Sequence, residues 1–399
     1  MFFLKILKFA LKNILKINKI KFYSIKNINF NKDHKTLVKK QNISIIKPNF
    51  LSKPTDKIQY KIHKHFPDIK IKIIHDVKVF GQSNFIFKNN EVYYSNDLWD
   101  PKNNFCLEEI SGKCLISKRK KLFWPNPKKK IKIKEAISFL DSTSFNYAHW
   151  TVEILPKIYL FSKFNKNKKI ILLVDKNLHK NQYQALNLII NKNHIVRYVD
   201  KNECIHVEKL HIISSVGYSY HSPLHPEKKH FHGIYSHSLL KDFSNYIIKN
   251  INSKSKNKEF EKIFITRQNK KRNLINLNYL IKILKSKKFK IVDINKINFL
   301  EQVQVFNKSK VIVSVNGASN SNIIFSKPKT NFFIIVNNLK YGDGYYFWPS
   351  IISFKKIVIN YIVGKNYGII NNQHADFIIE NFKLSKMFKS IKRLNNEII

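Results

Sequence analysis

The chain has 399 residues, enough for two domains with a large core, and its 43% hydrophobic and 13% aromatic content excludes a disordered polypeptide. Its formal net charge of +47 has the look of a nucleic-acid binder, yet only five of the 73 basic residues are Arg (Arg119, Arg197, Arg267, Arg272, Arg393). Phosphate recognition uses the forked guanidinium as readily as the ammonium, so this Lys excess reads as a solvated coat shaped by A/T-rich codons, and nucleic acid is not an expected partner. Three cysteines (Cys106, Cys114, Cys204) form no C-x-x-C pair and read as reduced, cytosolic side chains. No apolar run reaches 18 residues, which excludes a transmembrane helix by sequence pattern.

Residues 1–22 predict a basic amphipathic helix. Lys5, Lys8, Lys12, Lys16 and Lys19 form a stripe, with Phe3, Ile6, Ala10, Ile14 and Ile17 largely opposite. The expected partner is an anionic membrane surface. Residues 23–67 are polar and Lys/Asn-rich, a loosely ordered lead-in. From 68 to 135, short β-favouring runs broken by turn residues predict a small antiparallel sheet.

Beyond it the pattern alternates. A helix opens near Ala148, and Pro156 should kink or restart it. KKIILLVD (168–175) reads as a buried strand, NQYQALNLIIN as a helix, KLHIISS as a strand and SHSLLKDFSNYIIKNI as a long helix. The Lys/Ser/Asn-rich stretch 252–258 reads as a linker. KIFITR (262–267), FKIVDI, KVIVSV (310–315) and NFFIIV then read as strands separated by helices. Such repeats predict parallel sheets covered on both faces, arranged as one domain over 68–250 and a second over 259–365. Residues 366–399 form an extension packing back.

Three stretches carry chemistry. In NYAHWTVEILPKIYLF (146–161), His149 and Glu153 are four apart on one helical face, while Trp150, Ile154, Ile158 and Phe161 share another. In ITRQNKKRN, Arg267 directly follows an apolar strand, and Lys270, Lys271 and Arg272 complete a basic loop. In SVNGASNSN, a strand runs into Asn316, Gly317 and Ala318, and Ser319 to Asn322 open a helix whose free amides suit an anion. His221, His225, His230, His232 and His237 fit no usual metal spacing, and no D-x-D is present, so no metal is expected.

Together these stretches resemble glycosyltransferase family 61, found in bacterial capsular polysaccharide biosynthesis and among eukaryotic N-acetylglucosaminyl- and xylosyltransferases. The resemblance rests on Asn146, Tyr147, His149, Trp150, Glu153, Leu155 and Pro156, on Thr266, Arg267 and Arg272, on Glu301, Gln302 and Phe306, and on Asn316 to Ser319, Ser321 and Asn322. Asn316 stands where the family usually has His, Ser319 where it has Gly, and NFFIIV lacks the usual acid at its end. The resemblance implies an α/β fold of two Rossmann-like doubly wound domains facing a cleft (GT-B type), with a small β-rich lead-in.

It also implies a metal-independent, inverting transferase, for which the reduced cysteines and the basic segment 1–22 predict a cytoplasmic location in contact with the inner membrane face. Its donor is a nucleotide sugar and its acceptor a glycan of a surface or capsular polysaccharide. His149 or Glu153 takes the acceptor proton. Arg267, Lys271, Arg272, Asn316, Gly317, Ala318, Ser319 and Asn322 hold the donor. Two other classes compete: an inactive, transferase-like polysaccharide-binding protein at the membrane, and a basic nucleic-acid-binding protein.

Overall fold

The computed structural model describes residues 21–30, 32–54, 64–94, 115–116, 121–124, 129–218, 233–252, 260–267, 272–339, 343–368 and 375–396. The amphipathic segment expected at 1–22 lies outside them except for Lys21 and Phe22, which begin a strand, Lys21–Asn27. Cys106, Cys114, Lys270, Lys271, the linker beyond Asn252 and His221 to His232 also lie outside.

The chain is a mixed α/β protein with two main sheets. The first is built on β1 (Ile69–Phe80), β2 (Lys129–Ser138), β3 (Ile170–Asp175), β4 (His194–Val199) and β5 (Glu203–Ile213). Its parallel part runs β4-β3-β2-β5, so the order reverses between β2 and β5. Along Cys204–Ile213, β5 pairs antiparallel with β1. The small sheet expected over 68–135 is therefore not separate but continues the parallel one, because β1 is long and needs a partner for its backbone. Sequence reading also missed β2: its first half, KKIKIK, alternates like a solvated hairpin strand, and only Ala136 and Ile137 are fully buried.

The second sheet holds β6 (Phe260–Thr266), β7 (Lys290–Asp293), β8 (Ser309–Val315), β9 (Asn331–Val336) and β10 (Ile359–Val363), all parallel, in the order β7-β6-β8-β9-β10. Here the order reverses between β6 and β8. The strands are near-continuous Val/Ile/Phe runs because helices cover both faces.

Within the stretch read as a lead-in, His34–Val38 pairs with β1, and Asn49–Ser52 adds a parallel strand beside β10. That segment straps the two sheets together, and Ser52 Oγ accepts from Val363 N at 2.7 Å. At the other end, helix Asn381–Asn396 packs Leu384, Met387 and Ile391 against Phe264, Val313 and Phe333. One apolar cluster runs without a break from Leu172 and Phe161 of the first half to Ile312 and Phe332 of the second. Among the described residues no helix is long and apolar enough to cross a membrane.

Candidate active site

The first site element follows β2, at the point where the first sheet reverses order. Asn146 caps the helix start, its Oδ1 accepting from Ala148 N at 2.9 Å. The helix runs Tyr147–His149, widens to a π-turn over Trp150–Ile154 and resumes as Leu155–Phe164. The widening explains the tolerance for Pro156: it falls in the first turn of the resumed helix, where a missing N–H costs least. Trp150, Ile154, Ile158 and Phe161 are buried in the core as the spacing predicts.

On the other face, His149 Nδ1 lies 3.0 Å from Glu153 Oε2, and both side chains are largely shielded from solvent. The second carboxylate oxygen, Oε1, accepts from Tyr235 Oη at 3.0 Å. Tyr235 escaped the sequence reading. It is fully buried, and its ring is flanked by two of the chain's nine glycines. A Cβ on Gly217 would stand 2.3 Å from Tyr235 Cδ1. One on Gly233, whose φ is +120°, would stand 3.0 Å from Cε2. In so Gly-poor a chain, that GY and GIY pair was the available signal.

The second element lies at the reversal point of the second sheet, where Arg267 leaves β6 and Asn316-Gly317 leaves β8. Arg267 Nη1 donates to the Asn316 carbonyl. Gly317 makes room for this contact, since a Cβ there would meet Arg267 Cδ at 3.1 Å. Arg272 sits in a left-handed backbone conformation (φ 60°), and its Nε is buried with no hydrogen-bond partner among the described residues. Burial, followed by the charge of Arg272, pushes the Arg267 guanidinium down to about 10. Burial alone lowers Arg272. Two guanidiniums that repel one another in a half-buried place favour any anion that comes between them.

Asn316 Oδ1 accepts from Trp348 Nε1 at 2.9 Å. Ala318 is exposed and Ser319 half-buried beside it. Asn322, expected at the donor, is instead fully buried. Its Nδ2 donates to Gln302 Oε1 at 2.9 Å, and Tyr147 Oη lies 2.9 Å from both Gln302 Oε1 and Asn322 Oδ1. Gln302 Nε2 donates to Ile294 O, which fixes the orientation of its amide. These polar groups are drawn together because each is buried and needs a partner. Burial also pushes the Tyr147 phenol well up, so it stays a neutral donor.

This triad ties the first site element to the second half of the chain. Further ties run from Asn181 Nδ2 to Ile297 O, from Phe299 N to Gln184 Oε1 and from Ser244 Oγ to Ile324 O. An aromatic path joins the two site elements directly: Tyr235 meets Phe347 edge-on, and Phe347 meets Trp348. His237 sits apart, donating to the Ser350 carbonyl at 2.9 Å. Among the described residues no three His, Cys, Asp or Glu side chains gather as metal ligands.

Residues 147–333 match the family model for Glycosyltransferase 61. That stretch belongs to glycosyltransferase family 61. No curated protein matches the chain. As a glycosyltransferase, the chain is an enzyme that moves a sugar from a donor to an acceptor. The match begins at Tyr147, in the first site element, and ends in β9, so it takes in both reversal-point elements.

The structure divides the residues that carried the family resemblance by task. Asn146 caps a helix, and Glu301 caps another through a reciprocal pair with Asn298. Trp150, Leu155 and Phe306 fill the core, while Tyr147, Gln302 and Asn322 form the tie. His149, Glu153, Arg267, Arg272 and Asn316 stand outside these three tasks.

Proposed function

We propose that this family 61 enzyme transfers a sugar from a nucleotide-sugar donor to a glycan acceptor in the synthesis of a surface or capsular polysaccharide, by a single inverting displacement without a divalent cation. The two strand orders support a GT-B reading. Both are doubly wound patterns, and ligands of such sheets bind where the order reverses, at the carboxyl ends of the strands. The His149–Glu153–Tyr235 group stands at one reversal point and Arg267 with Asn316 at the other.

The observation that carries the mechanism is the double engagement of Glu153. Its two oxygens face His149 Nδ1 and Tyr235 Oη, each at 3.0 Å. A carboxylate accepts, so the Nδ1 proton of His149 lies on the Glu153 side and the lone pair of the neutral imidazole falls on Nε2. Of the two candidates, His149 is then the base and Glu153 its orienting partner. His149 Nε2 takes the proton of the acceptor hydroxyl as that oxygen attacks the anomeric carbon. The bond to the nucleoside diphosphate breaks on the opposite face, and the electron pair leaves on phosphate oxygen.

Arg267 and Arg272 neutralise that departing charge, a task a metal ion performs in other enzymes. Well-placed donors of this kind are worth about 3 kcal/mol each in the transition state. Ala318 and Ser319 belong to the same proposed donor edge. A nucleotide sugar that binds in EDTA and raises the melting temperature of the parent, but not of Arg267→Ala, would support this reading. A shift that needs added manganese would overturn its metal-free part. The membrane contact proposed for residues 1–22 predicts salt-sensitive binding to anionic vesicles that is lost on deletion.

A further inference from the structure

We propose that Asn316 is a fixed, non-titrating hydrogen-bond donor to a phosphate oxygen, and that Trp348 is the positioning residue that fixes it; this rests on reading Arg267 and Arg272 as an anion site. An Asn side chain has one accepting and one donating end, and either could face a ligand. Here the choice is made by Trp348. An indole N–H donates and cannot accept, so its 2.9 Å contact requires the carbonyl end, Oδ1, of Asn316. The amide nitrogen must then point away from Trp348. Among the described residues Nδ2 has no partner, and Asn316 is only half-buried.

Trp348 is itself well held. It is buried, its ring meets Phe347 at 4.5 Å between centroids, and its backbone lies in helix Phe347–Ile352. Asn316 is also fixed from behind, with its N–H bonded to Ile335 O at 2.8 Å and its carbonyl held by Arg267. What it offers is two N–H groups, with no charge and no proton to give up. That suits an oxygen bearing lone pairs and negative charge. With Arg267 bonded to the same residue, a phosphate oxygen fits better than a neutral sugar hydroxyl. His in this position would bring a titratable ring, whereas the amide keeps the same hydrogen-bonding state across the physiological pH range.

The test is calorimetric titration of the full-length chain with inorganic pyrophosphate. Parent, Arg267→Ala, Trp348→Phe, Asn316→Ala and the Trp348→Phe/Asn316→Ala double variant are compared. Trp348→Phe keeps the ring against Phe347 but releases the amide to flip, and should weaken pyrophosphate by roughly 3- to 10-fold, less than the full loss of a hydrogen bond to a charged group because the freed amide still donates part of the time. In the Asn316→Ala background the same change should have no further effect, because Trp348 acts through Asn316.

Should Trp348→Phe not fold, Asn316→Asp keeps the side-chain shape and the Trp348 contact. It presents an anionic acceptor in place of the donor and should weaken binding by more than about tenfold. A merely structural Trp348 would lower the melting temperature and leave pyrophosphate affinity unchanged. Parent-like affinity in Trp348→Phe, or in Asn316→Asp, overturns the inference while Arg267→Ala still weakens binding and the anion site stands. Equal binding, or none, in parent and Arg267→Ala shows instead that the anion site itself is wrong.

Discussion

Tyr235 Oη donates to Glu153 Oε1 across 82 residues of sequence, at 3.0 Å, so the carboxylate four residues after His149 is gripped from both sides. Both are closely held: Glu153 is carried by a π-turn in the core, and Tyr235 is wedged against Gly217 and Gly233. A carboxylate held this way sets the tautomer of its histidine without needing to move during the reaction.

Tyr235→Phe keeps the ring between the two glycines and removes only the hydroxyl. Because a hydrogen bond to a charged group is worth about 1.5–3 kcal/mol, kcat should fall by roughly 10- to 100-fold. Donor KM should stay near the parent value, and the acid limb of the kcat–pH profile should move, as follows from the proposal that His149 is the base. Steady-state kinetics across pH 5 to 9 would check this. Parent kcat would mean that Glu153 needs no second support.

Gly317→Ala tests the other end of the site. The backbone there is extended (φ −172°), so alanine adopts it without strain, and the effect is purely one of space. The new Cβ would press on Arg267 Cδ at 3.1 Å and turn the guanidinium away from the Asn316 carbonyl. Donor affinity should fall by roughly 5- to 30-fold, about 1–2 kcal/mol, while the melting temperature changes little. Titration calorimetry and a thermal melt on one sample separate the two effects.

Acid stability should report on Glu135, in β2 and away from the site. Burial pushes its carboxyl up, but hydrogen bonds from Lys168, His211 and Lys209 outweigh burial and bring its pKa down to about 2. His211 is itself lowered by burial, so the lysines supply the charge. A depressed carboxylate contributes stability that is present above its ordinary value of 4.5 and is lost as pH falls from there towards about 2. Glu135→Gln should therefore melt below the parent at pH 6, with the gap closing as pH falls below 4. A gap that stays constant with pH would leave packing, not charge, as the cause.

β6 to β9 and the helices between them were legible from sequence because each is a continuous apolar run or a clean helical stripe bounded by Asn, Ser or Lys, whereas β10 went unread. The first sheet was harder. β2 and β1 are half-solvated, so their alternation looks like a local hairpin although both pair over long distances. Asn49–Ser52 could not be placed at all, since a four-residue edge strand owes its structure to Val363 and Asn360, more than 300 residues away.

The candidate site was legible where its residues sit on short segments: His149 with Glu153, and Arg267 at a strand end. It was illegible where partners converge from different segments, as Tyr235 and Trp348 do. Asn322 was misassigned because a polar helix start after Gly looks the same whether it faces a ligand or, as here, Tyr147 and Gln302.

The central claim is tested most directly by the rate of nucleoside diphosphate release from nucleotide sugars in the presence of a glycan acceptor and EDTA, compared for the parent, Arg267→Ala, Arg267→Lys and Arg197→Ala. Arg197 lies outside every site element, but it is not inert. It donates to Glu203, a buried carboxylate, at 2.5 Å, so Arg197→Ala should cost about 1–3 kcal/mol of stability while leaving turnover near the parent rate. Arg267→Ala should lose about 2–4 kcal/mol of transition-state stabilisation, roughly 30- to 1000-fold in rate. Arg267→Lys should still bind donor, yet lose most of kcat with the loss of the planar fork. If Arg267→Ala releases diphosphate as fast as the parent, or no slower than Arg197→Ala, the site has been placed in the wrong part of the molecule.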